Sequence, residues 1–349
     1  MHLRRLIVVL VALTMVASVG VASAGASHGV NGKICVVNDM GGDENPFNVS
    51  AAEGTKAAQS KLHVDTETLD AATEADVTAN IDAFVTRGDC DLILGLGFNV
   101  AGLMEPFAVS NPAQRFALID ASFFPAFYPN VAEVFFLPNE AAFLAGYVAA
   151  GISETGKVGV FGGAPVLPVT LFMDGYAFGV DHYNSIHGTN VEVLGWDPDL
   201  QTGLFSFDFG NPAIGQSLAS DLYDAGADTV FPVAGRTSFG ALTEASERKV
   251  GGESVRVIGV DFDWSRALGD PDRVILTSVV KDTGVAVFNQ TASLVAGTWM
   301  GGFWFEGLES GGVDIAPFGK LNRAVPGFLK NDLDSIRAGI IDGSIPTLP

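Results

Sequence analysis

Short apolar runs bounded by polar breaks alternate along this chain with longer segments whose apolar residues recur at helical spacing. An unbroken run such as Ile34–Val37 or Leu92–Leu96 is the pattern of a parallel strand covered on both faces. The runs predict strands near 34–38, 62–69, 91–97, 115–120 and 131–136, with helices over Ala51–Leu62, Val77–Arg87 and Ala101–Asn111 between them. A second series follows, with strands at Val158–Phe161, Val191–Leu194, Thr229–Val233 and Val255–Val260 and helices at about 170–185, 213–225 and 238–249. Strands alternating with helices call for βαβ units and parallel sheets. Two such series exceed one sheet, so the expected fold is α/β with two doubly wound parallel-sheet lobes.

Past Asp261 the rhythm changes. Val274–Val280 is an extended run, Val285–Thr298 is helical, and no third lobe follows. These segments are expected to cross back and complete the earlier lobes, making a hinge around a central cleft. The expected boundaries are 32–137 plus about 264–300 for one lobe, and 138–263 plus about 301–349 for the other. Residues 1–24 form a separate piece: Arg4 and Arg5, an apolar run from Leu6 to Val19, then Ala22-Ser23-Ala24. That is the plan of a cleaved secretory signal, and its run is short for a ~20-residue membrane span. No cysteine follows the run, so a periplasmic or secreted protein without a lipid anchor is expected.

Charge narrows the partners. The 349 residues carry a net charge of −21, spread along the chain, which excludes nucleic acid and favours a soluble monomer. Only Cys35 and Cys90 are present, at the starts of what should be neighbouring strands. In an exported protein they form either a disulfide or two buried thiols.

In open α/β sheets, ligands bind outside the carboxyl ends of the strands. Those ends carry Asp39, Phe47 and Asn48 after the first strand, Gly97 after the third and Asp120 after the fourth. The second series adds Phe231, Gly235 and Arg236, then Asp261 and Asp263, and the late crossing run ends in Lys281. Each alone has an ordinary structural explanation, since Asp caps helices and Phe fills cores. Together they describe a cleft with aromatic walls, which favour a planar ring, and with carboxylates, which accept from vicinal hydroxyls or ring N–H groups. A ring joined to a diol is a nucleoside; a sugar is the runner-up ligand.

Enzyme motifs are missing. The chain has no GxSxG, HExxH or GxxxxGK[ST], and His182 and His187 are five apart, which does not put both on one helical face for a metal. No metal, cofactor or catalysis is expected; a nucleoside-cleaving hydrolase is the alternative of a different class.

At NDMGGDENPFNVSAAEG, DLILGLGF, FALID, NEAAFLAGYVAA, TGKVGVFGG, LYDAGADTVFPVAG, VIGVDFDW, ILTSVVKD and IRAGIIDGSI, in that order, the chain resembles the basic membrane protein family of ABC-transporter substrate-binding proteins. The resemblance runs from Lys33 to about Ile345. It implies a type I periplasmic-binding fold whose cleft closes on a nucleoside, with a membrane permease as partner. It implies that Phe47 and Phe231 sandwich the base, that Asp120 reads its edge with Asp39 and Asn48 nearby, and that Asp261 and Lys281 hold the ribose hydroxyls. Two positions depart from the family pattern: Pro46 precedes the Phe-Asn pair, and Arg236 stands where small residues are usual. The second departure brings a guanidinium toward the cleft and favours a more polar or anionic ligand.

Overall fold

The computed structural model describes residues 32–40, 46–270 and 272–348; the expected signal segment lies outside them. In chain order the first elements are β1 (Lys33–Val37), α1 (Pro46–Leu62), β2 (Asp65–Leu69), α2 (Glu74–Arg87), β3 (Leu92–Leu96), α3 (Phe98–Ser110), β4 (Phe116–Ile119) and β5 (Val131–Phe136). Next come α4 (Pro138–Ile152), β6 (Lys157–Gly162), α5 (Leu167–His187), β7 (Glu192–Leu194), β8 (Trp196–Asp197), β9 (Thr202–Gly203) and α6 (Pro212–Asp224). The chain continues through β10 (Thr229–Val233), α7 (Phe239–Val250), β11 (Arg256–Asp261), α8 (Trp264–Ala267) and β12 (Ile275–Lys281). It ends with α9 (Thr283–Val295), β13 (Gly302–Glu306), β14 (Val313–Ile315) and α10 (Gly327–Ile341).

Local chemistry sets several of these boundaries. Thr73 and Asp76 form a reciprocal capping box that starts α2, and Gly88, in the left-handed region at φ 65°, ends it. Asn211 caps α6 ahead of Pro212, whose missing N–H falls where a helix needs none. Strand β1 shows why an unbroken apolar run is required: Ile34 and Val36 enter one buried cluster, while Cys35 and Val37 enter the cluster on the opposite face. Cys35 and Cys90 are joined in a disulfide, 5.9 Å between Cα atoms, so β1 is stapled to the segment leading into β3.

Two six-stranded sheets result, ordered β13-β5-β4-β3-β1-β2 and β14-β12-β11-β10-β6-β7. The strand pairing corrects the expected lobe boundaries. β12 pairs with β11 and β14 in the second sheet, although residues 264–300 were assigned to the first lobe. β13 pairs with β5 in the first sheet, although residues 301–349 were assigned to the second. Ile275, Leu276 and Val279 are buried, and the sheet holding β11 is the one their strand extends. The chain therefore crosses between lobes after β5, after β12 and after β13, and Lys281 sits at the middle crossing.

α4 is absent from the expected elements because it has no polar stripe: Pro138 to Ala150 are buried without interruption apart from Glu140. It lies against α5 at backbone distance. A Cβ on Gly146 would come within 2.1 Å of the Tyr176 carbonyl oxygen, so glycine is what permits the approach.

Candidate functional site

Asp39 follows β1, and its carboxylate accepts from the Met40 N–H at 2.8 Å and from Asn99 Nδ2 at 3.0 Å. Burial raises its pKa, partly opposed by those two donors. Gly97, at φ 82°, leaves the room this carboxylate occupies: a Cβ there would stand 2.7 Å from Asp39 Oδ2. Asn48 is buried in the first turns of α1; its Oδ1 accepts from the Asp39 N–H and its Nδ2 donates to the Asp39 carbonyl. These two bonds lock the strand end to the helix, which makes Asn48 a positioning residue. Phe47 begins the same helix half-buried, and its carbonyl accepts from Thr283 Oγ1 at 2.7 Å, tying this wall to the crossing before α9.

Asp120 follows β4 and Asp261 ends β11, both in the left-handed region at φ 59° and 69°. Asp tolerates that conformation better than most residues, yet two such positions each cost of order 1–3 kcal/mol and gather where the surroundings over-determine them. Lys281, at the end of β12, reaches across from the second sheet and donates to Asp120 Oδ2 of the first at 2.8 Å. The pair is well shielded, with the lysine side chain 8% exposed and the aspartate 23%. The ammonium also lies over the Phe136 and Phe172 rings, 5.9 and 5.4 Å from their centroids. Burial opposes the Lys281 charge, but Asp120, Asp261 and the hydrogen bond outweigh it and raise the lysine's pKa. Burial raises the Asp261 pKa, Lys281 lowers it, and the neighbouring Asp120 charge raises it again. No described residue donates a hydrogen bond to the Asp261 carboxylate. This half-buried carboxylate keeps its acceptor capacity unused by the described residues.

The structure does not place Phe231 on the cleft. In the middle of β10 it is 0% exposed, its ring packed at 6.2 Å from Phe172 and 5.3 Å from Tyr176. β10 is buried along its whole length, and Phe231 lies within the core cluster there. Among the aromatics near the carboxyl end of that sheet, with Phe205, Phe207 and Phe262, is Phe209, 47% exposed. Its ring lies on Gly163, where a Cβ would come within 2.2 Å of it, and its backbone lies against Gly235, where a Cβ would be 3.2 Å from the Phe209 carbonyl oxygen. Phe209 precedes α6 in an irregular segment, where neither strand nor helix periodicity marks it; the glycines at both strand ends were the available signal. Arg236 is exposed beside it and donates its backbone N–H to the Phe209 carbonyl at 2.9 Å. Asp263 is a helix cap: its Oδ1 accepts from the Arg266 N–H at 3.1 Å, starting α8.

The site is thus a cleft between two parallel sheets. Asp39, Phe47 and Asp120 lie at strand ends and the helix start of the first sheet's lobe, Phe209, Arg236 and Asp261 on the second's, and Lys281 of the second sheet is bonded to Asp120 of the first. Among the described residues no helix is long and apolar enough to cross a membrane. Residues 32–335 match the family model for ABC transporter substrate-binding proteins, PnrA-like. The chain is similar to the CD4+ T-cell-stimulating antigen of Listeria monocytogenes, 32% identical over 298 residues, covering 81% of this chain and 79% of the relative. It is also similar to the ABC transporter nucleoside-binding protein BmpA of Lactococcus lactis, 28% identical, with 98% of each chain covered. A solute-binding protein of an ABC transporter system from Aeropyrum pernix K1 superposes with a TM-score of 0.71 at 28% identity, covering 90% of this chain and 94% of the other. With the same architecture in hand, the two lobes are a type I periplasmic-binding fold, and the chain belongs to the Bmp family of ABC transporter substrate-binding proteins.

Proposed function

We propose that this protein captures a nucleoside, a purine nucleoside first, outside the cytoplasm and presents it to the permease of an ABC importer. The observation that carries this reading is the Asp261 carboxylate, to which no described residue donates, beside the Lys281–Asp120 bridge. Vicinal ribose hydroxyls are donors of the right number and spacing for it, and Lys281 supplies the complementary donor to their oxygens. Phe47 and Phe209, on opposite walls, take the two faces of the base, while Asp120 and Asp39 stand where its N–H edge would lie. The protein works as a monomer and makes or breaks no bond in its ligand.

On this reading the ligand drives closure. A ligand touching only one wall has equal affinity for open and closed forms and shifts nothing; one that contacts both walls stabilises the closed form by its differential affinity. The three crossings allow the lobes to move as bodies.

A thermal-shift and calorimetric panel of nucleosides, nucleobases and sugars tests this. Stabilisation by nucleosides above bases or sugars is expected. Stabilisation by sugars alone would replace the proposed ligand, and free base appearing on incubation with inosine would convert the receptor into a hydrolase.

A further inference from the structure

We propose that the natural ligand carries an oxyanion and that Arg236 receives it, which makes Arg236 the residue that selects among nucleoside-like ligands. The inference rests on the nucleoside reading above and names a narrower class within it. Arg236 follows β10 through Gly235, and its backbone N–H is bonded to the Phe209 carbonyl, so its position is tied to the second lobe's aromatic wall. Its guanidinium is exposed and forms no hydrogen bond or ion pair with any described residue. Arg87, Arg248, Arg256 and Arg337 take carboxylates, whereas Arg236 shares with Arg115, Arg273 and Arg323 the lack of a carboxylate partner among the described residues.

Two carboxylates of this region, Asp208 and Asp120, are already engaged by other groups. Asp208, next to Phe209, turns Oδ1 to the N–H groups of Gly210 and Asn211 and to Thr237 Oγ1. Asp120 holds Lys281, and Lys281 is also the cation nearest Asp261. Among the described cleft residues, Arg236 is therefore the cation that no protein carboxylate neutralises. Its planar fork matches a phosphate or a carboxylate with two parallel hydrogen bonds, a geometry that a neutral nucleoside cannot use. A ligand with its ring between Phe47 and Phe209 and an oxyanion on the second-lobe side would engage both.

The test is titration calorimetry of the whole protein with adenosine, adenosine 5′-monophosphate and adenosine 5′-carboxylate, on wild type, Arg236→Ala and Arg236→Lys. At least one anionic probe should bind roughly 10-fold or more tightly than adenosine, as a charge-assisted hydrogen bond provides. The anion-to-adenosine ratio should fall toward one in Arg236→Ala and be partly kept in Arg236→Lys, and raised salt should shrink it. Whichever anionic probe binds more tightly distinguishes phosphate from carboxylate. Adenosine binding as tightly as both anions in wild type, or an unchanged ratio in Arg236→Ala, would sink this inference and leave the nucleoside reading intact. Failure of all three probes would sink both. Matching melting curves of the variants exclude loss of fold as the cause.

Discussion

On the first lobe's wall Asp39 already accepts hydrogen bonds from Met40 and Asn99 and is clamped at its backbone by Asn48, whereas on the second lobe's wall Asp261 accepts none from the described residues. Both carboxylates have raised pKa values, and burial is the leading cause for each. The difference lies in where each finds its donors. Asp39 already has two protein donors on Oδ1, whereas the Asp261 carboxylate has none among the described residues. Asp261 is the carboxylate that a hydroxyl of the proposed nucleoside would satisfy. Lys281 couples the walls, since it is bonded to one and charged against the other.

The comparison can be broken at several points. The largest effect belongs to a pair of substitutions: Phe231→Ala should destabilise the protein by ~3–5 kcal/mol as a core truncation, while Phe209→Ala leaves the melting temperature nearly unchanged and weakens ligand binding. Calorimetry beside thermal melts separates the two, and the opposite pattern would return Phe231 to the cleft. Lys281→Met removes the cation between Asp120 and Asp261, and about 3 kcal/mol should be lost from the closed, liganded form. Asp261→Asn should cost ~2 kcal/mol in binding, with the fold intact. Asn48→Ala should lower the melting temperature by the equivalent of about 1–2 kcal/mol, because it unclamps Asp39; a change in affinity without a change in stability would make Asn48 a direct ligand contact.

The smallest effect is on pH. Asp261 ionises above the ordinary carboxyl range, so lowering the pH through its raised pKa protonates it while ordinary carboxyls near 4 are still charged. Affinity should fall in that window. The unliganded fold should not weaken there on Asp261's account, since protonation relieves a buried charge. Lys281 stays protonated throughout, its pKa being raised as well. Affinity that is flat until ordinary carboxyls titrate would show that Asp261 contributes no charge to binding.

Much of the architecture was legible because covered parallel strands must be apolar on both faces, as Ile34, Cys35, Val36 and Val37 are. The same logic hid α4, whose all-round burial erases the polar stripe that identifies a helix. It also misassigned β12 and β13, since an apolar run states that it will be buried but not in which sheet. Asp120, Asp261 and Lys281 were legible as strand ends. Residue type did not distinguish Phe231 from Phe209: β10 is buried along its whole length, and Phe209 lies in an irregular segment that has no strand period.

By itself, the order of apolar runs and helical segments determined a two-lobed α/β protein, and the acids left at strand ends marked where a ligand would lie, because local period and burial are written in neighbouring residues. Only the tertiary structure decided that Lys281 meets Asp120, 161 positions away, that the Asp261 carboxylate has no donor among the described residues, and that Phe231 is buried in the core while Phe209 stays half exposed. Those outcomes depend on which strand pairs with which, and on how two sheets built far apart in the chain come to face each other.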